Sequence, residues 1–331
     1  MRSAAFVLAL FGSQPALAQT KVSILHAVIG PKQAALWVAQ EQGIFAKHGV
    51  DVEVARFDPH QPTRNQMTGA AFGGIGIPVA LGWAAEGTKL KVVVAFNNAS
   101  VTTMHLLSRP GIKTAADLRG IRFGINRIGT GSRISAMQAL DHFGFEPKRD
   151  GITLVEGKDG GLGVARALEN GDVDAAAVDP SQSAQLRAKG FLLLLDMAAT
   201  DLPGIQDGIA VADIYLREHP DVVEKVVAGM VEGIAFSLSP PNKAIVIKTL
   251  MARLNISSPE AAEVAYQEFL TRVSGKPNVS VAAAQSYRRA LAFNDPRVLD
   301  VKIEDILDDR FVRSLEESGT IDRLYTGYGM K

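Results

Sequence analysis

Short aliphatic runs alternate with longer amphipathic stretches along most of this chain, and that alternation restricts it to an α/β architecture. Residues 21–29 (KVSILHAVI) predict a buried strand. Residues 31–47 predict a helix that turns Leu36, Trp37, Ile44 and Phe45 inward, with Pro31 in a first turn where a missing N–H breaks no hydrogen bond. A second strand follows at 50–57, a short helix runs to Met67, and a third strand spans 73–77. A helix at 79–86 holding Trp83 then leads to a strand at 91–96. Such alternation favours parallel strands with helices on both faces and ligands beyond the carboxyl ends of the strands. The 31 glycines and the 6% share of aromatic residues suit aliphatic strands buried on both sides.

The pattern then restarts. Residues 103–108 (TMHLLS) form a crossing segment closed by Arg109, Pro110 and Gly111. Thr114 and Asp117 make a T-x-x-D helix start, Gly120 ends that helix, and residues 121–125 open a new strand. A helix at 132–143, a strand at 152–156, a helix at 162–170, a strand at 173–178 and a further helix and strand through Leu195 complete a second unit. Residues 201–207 read as a return crossing and 209–212 as a strand rejoining the first unit. From Asp221 onward the pattern is helical, with starts at Pro220, at a capping box from Ser257 to Glu260, and at Pro277-Asn278, and these helices are expected to pack on the first unit. The expected organisation is a lobe 1 built from 19–109 and 206–331, a lobe 2 built from 110–205, and a two-segment hinge between them.

The amino terminus carries Arg2, an apolar run over residues 4–12 and the small-x-small triplet Ala16-Leu17-Ala18. This predicts a signal peptide, residues 1–18, cleaved after Ala18. With no cysteine in the chain there is no disulfide, no thiolate metal site and no lipid-bearing cysteine, so the expected mature protein is a periplasmic one without a lipid anchor. The 35 basic and 35 acidic residues balance, which argues against nucleic acid as a partner. Six histidines without an i, i+4 pair or an HExxH motif point to no metal, and no G-x-S-x-G elbow points to a hydrolase.

Three segments carry a family resemblance. Residues 45–54 (FAKHGVDVEV) resemble an F-x-K-x-G-L-D-V-E turn, residues 112–125 (IKTAADLRGIRFGI) resemble an I-x-S-x-x-D-L-K-G-K-x-I-G segment, and residues 165–179 (ARALENGDVDAAAVD) resemble an AL-x-x-G-x-V-D-A segment. In this order and spacing they are similar to the nitrate, sulfonate and thiamine-precursor (NMT1/SsuA-like) group of periplasmic solute-binding proteins. The resemblance implies a type II periplasmic binding protein fold, two α/β lobes with a two-segment hinge and a helical carboxyl-terminal region. It also implies a monomer without cofactor that captures a small molecule by lobe closure and hands it to the permease and ATPase of an ABC importer. Relatives of the fold that make a thiamine pyrimidine or dehydrate chorismate supply an enzyme alternative, and a sensory ligand-presenting protein is another. Residues 69–76 (GAAFGGIG) depart from the family pattern by lacking an acidic residue before the third strand.

Strand ends nominate the ligand contacts. In the first unit these are His26, Ile77 in the 75–78 loop, Asn97 and Asn98; in the second they are Asn126, Arg127, Thr130, Gly131, Ser132, Glu156, Asp179 and Gln182. The loop 126–133 (NRIGTGSR) is the most informative, because its backbone N–H groups at a helix start, its hydroxyls and Arg127 or Arg133 suit a carboxylate or sulfonate oxygen. The same glycines can make a tight turn, with Ser132 capping the helix. Asn97 and Asn98 suit a polar ligand edge or a turn, and Asp179 before Pro180 suits a ligand amine or a helix cap. Trp37 and Trp83 are expected in the core.

Overall fold

The structure, a computed structural model, describes residues 19–26, 30–58, 60–97, 102–127, 130–157 and 160–330. The expected signal peptide and Asn98 lie outside these residues. The first run of elements is β1 (Thr20–His26), α1 (Ala34–Glu41), α2 (Ile44–Lys47), β2 (Val50–Arg56), α3 (Thr63–Ala70), β3 (Ala71–Gly76), α4 (Ile77–Ala85) and β4 (Leu90–Ala95). The second is β5 (His105–Ser108), β6 (Arg122–Ile125), α5 (Gly131–His142), β7 (Thr153–Glu156), α6 (Gly160–Asn170), β8 (Ala175–Val178), α7 (Pro180–Ala188) and β9 (Leu192–Asp196). β10 (Asp207–Ala212) follows, and then α8 (Asp213–Glu218), α9 (Pro220–Leu238), α10 (Lys243–Leu254), α11 (Pro259–Arg272), α12 (Val281–Ala292), α13 (Arg310–Glu317) and α14 (Thr320–Gly327).

Two five-stranded sheets result, ordered β2-β1-β3-β10-β4 and β7-β6-β8-β5-β9. Each has the same plan: parallel strands, with one antiparallel strand inserted beside the fourth. The alternation favoured parallel strands, and each sheet is parallel but for that one strand. A four-residue aliphatic strand such as β5 carries no sequence mark of its direction, and β10 arrives from the opposite end after the return passage. β5 also belongs to the second sheet, so the first passage ends before His105 and not at Pro110.

Local chemistry accounts for several element ends. Thr114 and Asp117 form the expected capping box, and Gly120 takes the left-handed conformation that closes the turn. The stretch expected as one helix over 31–47 is a 3-10 turn at Pro31–Gln33 followed by α1 and α2, broken where Gly43 turns left-handed. The α11 cap is Ser258, whose hydroxyl accepts from Ala261 N at 3.2 Å, and not Ser257. α9 packs along α1 because Gly233 has no Cβ; one placed there would stand 2.7 Å from the Ala39 Cβ.

The buried residues gather into three clusters. One joins the first sheet to α1 and α9 around Trp37 and Phe45, which puts Trp37 in the core as expected. A small one lies under α6 and α7. The third crosses between the sheets, joining Ile77, Leu81 and Val92 to Phe123, Ile134 and Met137 through Ala283, Tyr287 and Ala290 of α12. The carboxyl-terminal helices therefore do not pack on the first sheet alone. Three polar rungs fix α12 to α5: Gln138 Nε2 donates to Ser286 Oγ at 3.0 Å, Arg289 Nε donates to Asp141 at 2.8 Å, and Arg133 donates to Asn294 just past the helix end. Among the described residues no helix is long and apolar enough to cross a membrane.

Candidate functional site

A cleft of about 980 Å³ lies where the strand ends of both sheets meet the two chain passages. One wall is the end of β3 and the first two turns of α4, presenting Ile75, Pro78, Val79 and Trp83. The other is Thr102, Thr103 and Met104 with the start of α5, and Gly204, Ile205 and Asp207 of the return passage close the floor. The position beyond strand carboxyl ends follows from the α/β connectivity, because each strand-to-helix loop emerges there.

The floor is held by a dense polar network. Asn97 Nδ2 donates to Ile205 O at 2.8 Å, and its Oδ1 accepts from Asp207 N at 2.8 Å. Gln206 Nε2 donates to Asn97 O at 3.1 Å and to Asn278 O at 3.0 Å, while its Oε1 accepts from Ser280 N at 2.9 Å. Tyr287, fully buried, donates its hydroxyl to Gly204 O and accepts from Gln206 N at 3.1 Å. Burial pushes its phenol well above the ordinary tyrosine range, which favours the protonated form that donates to Gly204 O.

The charges around the cleft are already matched. Lys32 pairs with Asp207, Arg64 with Glu86, and Arg272 with Glu268 at 3.1 Å. Gly76 permits the Asp207 position, since a Cβ there would stand 2.9 Å from Asp207 Oδ1.

Of the residues nominated from sequence, Asn97, Gly131, Ser132 and Asp179 line the cleft. Asn97 does so as a stitch between the two passages. Asp179 caps α7: its carboxylate accepts from Gln182 N at 2.9 Å and Ser181 Oγ at 2.7 Å, and the Gln182 side chain accepts from Asp179 N at 3.3 Å. We expect Asp179→Ala to lower stability by about 1 kcal/mol, the ordinary value of such a cap, without abolishing solute binding. A binding loss of more than about tenfold at unchanged melting would make Asp179 a ligand contact instead.

The other nominees stand behind the wall or away from it. Thr130, not Ser132, caps α5, accepting from Arg133 N at 3.4 Å, and Asn126 Nδ2 braces Ser132 Oγ at 2.9 Å. Ile77 is fully buried, with its backbone N–H given to Gln206 O at 3.0 Å. His26 is buried with its ring centroid 5.9 Å from that of Trp37. Arg127 is exposed outside the lining, and its carbonyl accepts from the Thr130 hydroxyl at 2.8 Å. Glu156 ion-pairs with Arg133 at 3.7 Å. Arg133 itself is buried against Asn126 O at 3.0 Å and Asn294, and burial pulls its guanidinium below the ordinary arginine value while Glu156 opposes the shift. The helix that buries it, α12, lies more than a hundred residues away in sequence, which is why the loop alone suggested a ligand clamp.

Sequence reasoning missed Lys32, Asp207, Met104, Ile205 and the exposure of Trp83. The i, i+4 spacing of Val79 and Trp83 on a helix that begins at a strand end was the available signal for the last of these.

Two sheets of identical strand plan, each with an inserted antiparallel strand and a shared cleft at the strand ends, define the periplasmic binding protein class of fold. The chain belongs to the NMT1/THI5-like family, whose model matches residues 30–244. A Brucella abortus protein named as a binding protein is 25% identical over 226 residues, 63% of this chain; the match spans 64% of that relative, less than two thirds of its length. A thiamine biosynthesis protein of Haemophilus influenzae is 29% identical over 137 residues, 39% of this chain and 42% of its own. Among solved structures, a periplasmic sulfonate-binding protein of Methylobacillus flagellatus is similar with a TM-score of 0.65 at 19% identity, covering 91% of this chain and 95% of its own. The nitrate-binding protein of Synechocystis is similar with a TM-score of 0.56 at 12% identity, covering 91% and 89%. The desulfurization enzyme DSZB shares the fold as well, with a TM-score of 0.54 at 18% identity, covering 90% and 99%.

Proposed function

We propose that this protein is the extracytoplasmic solute-capturing component of an ABC importer, holding a small organic solute in the cleft and presenting the closed form to a permease and its ATPase. The observation that carries this reading is the cleft itself, walled from both sheets and floored by the two passages that join them. The sheets are the cores of two lobes, and the passages that carry Phe96 and Asn97, Thr102 to Met104, and residues 197–206 are the hinge. The seam of α5 with α12 is the pivot side, so closure narrows the mouth while the seam stays packed. The cleft's makeup supports capture over catalysis: no described histidine lines it, and its acidic side chains sit in ion pairs or a helix cap. Export by a signal peptide cut after Ala18 belongs to the same reading.

Native mass spectrometry of protein purified without refolding is the direct test, with a co-purified small molecule as the expected result. Tryptophan emission reports on the cleft, because Trp83 faces it and Trp37 is buried in the core. We expect ligand to shift the emission of the wild type and to leave Trp83→Phe almost unchanged. A full shift in Trp83→Phe would remove the ligand from this cleft.

A further inference from the structure

We propose that the cleft takes a zwitterionic solute, with an ammonium and a carboxylate on one carbon or on neighbouring carbons and an apolar body, in place of a simple anion. The inference rests on the capture reading above and names the solute's class.

The described lining holds three cationic side chains, Lys32, Arg64 and Arg272, and three anionic ones, Glu86, Asp179 and Asp207, so it carries no net charge. The pair that matters is Lys32 with Asp207 at the base, with side chains 22% and 9% exposed. Asp207 is rigidly placed. Its N–H is held by Asn97, its carbonyl accepts from Phe96 N at 2.8 Å, and Gly76 leaves room beside its carboxylate. A monoanion that drew Lys32 to itself would leave that carboxylate buried without a counter-charge, and a monocation drawn to Asp207 would strand Lys32 in the same way. A zwitterion avoids both costs, because its carboxylate meets Lys32 while its ammonium meets Asp207. The arginine best suited to clamp an anion, Arg133, is buried away from the cleft against Asn294 and Asn126.

The body of the solute has its own place. α4 starts at the Asp207 end of the cleft and runs along its wall, and seven residues of helix rise place Trp83 about 10 Å beyond Gly76. Val79 and Trp83 share one face of that helix, with Met104 and Ile134 on the opposite wall. A charged head at Lys32–Asp207 and an apolar or aromatic body along Val79 and Trp83 therefore fill complementary ends of one site.

The test uses matched probes on the full chain by isothermal titration calorimetry: phenylalanine, phenethylamine and 3-phenylpropanoate, repeated with tryptophan, tryptamine and indole-3-propanoate, with hexanesulfonate as a simple anion. We expect a zwitterion to bind at least about tenfold more tightly than either of its singly charged analogues and than the sulfonate. Asp207→Asn should shift the preference toward the carboxylate-only probe and Lys32→Gln toward the amine. Thermal melting identifies either variant that fails to fold, and the wild-type comparison decides the matter without them. An analogue of single charge, or the sulfonate, binding as tightly as the zwitterions would overturn the inference, as would a co-purified solute of single charge. Either result leaves capture standing. If no probe, no co-purified molecule and no component of a metabolite extract binds, the capture reading falls and takes this one with it.

Discussion

Replacing Glu232 with alanine is expected to lower stability by about 1.5–3 kcal/mol at neutral pH, the range for losing hydrogen bonds to a charged group. Glu232 lies on α9 with 1% of its surface exposed. Lys47 Nζ donates to it at 2.5 Å, His48 Nε2 lies at 2.7 Å and the Tyr328 hydroxyl donates at 2.7 Å. One carboxylate thus ties α2, α9 and the carboxyl-terminal turn together. Burial pushes this carboxyl up, but the hydrogen bonds from Lys47, Tyr328 and His48 together outweigh it and hold it below the ordinary glutamate value of 4.5. The sign of the pH dependence follows. A group depressed on folding contributes its stabilisation in full above its unfolded value and loses it as pH falls from that value through the lower folded one. The stability gap between wild type and Glu232→Gln should therefore be widest near neutrality and shrink below about pH 4.5. Urea midpoints across that range measure it, and a gap that stays constant into acid would contradict the assignment.

The second large effect is at Tyr287. Its side chain is fully buried between α4, α5 and the return passage, so Tyr287→Ala removes an aromatic ring from the core that spans both sheets, at a cost of about 3–5 kcal/mol. Tyr287→Phe keeps the ring and leaves Gly204 O and Gln206 N without their partner, at about 1–3 kcal/mol. The phenylalanine variant should also weaken solute binding, because Gly204 and Ile205 form the cleft floor. Chemical unfolding and calorimetric titration of the two variants separate these effects. If Tyr287→Phe melts and binds as the wild type does, the phenol is not what holds the passage.

Much of the fold was legible because its causes are local. Thr114 with Asp117, Asp179 before Pro180 and the glycine at position 120 act on backbone groups within a few residues, so their caps and turns appear in the structure where the sequence places them. The alternation of aliphatic strands with amphipathic helices is equally local in origin, as is the trio of motifs that pointed to the family. The site was less legible. Arg133 reads as an anion clamp when only its own loop is in view, and becomes a rung between helices once α12 covers it. Asp179 and Asn97 kept their polar partners within the protein, which no spacing rule distinguishes from partners in a ligand.

By itself the chain determined the kinds of element, their order, two α/β units with a return between them, and the helical tail, since each depends on residues close in sequence. Only the tertiary structure decided that β5 and β10 run antiparallel inside their sheets, that α12 binds the second unit, and that Lys32 meets Asp207 in the cleft. Those pairings join segments up to 175 residues apart. Their selection depends on which surfaces are buried together, a quantity that exists only once the chain has packed.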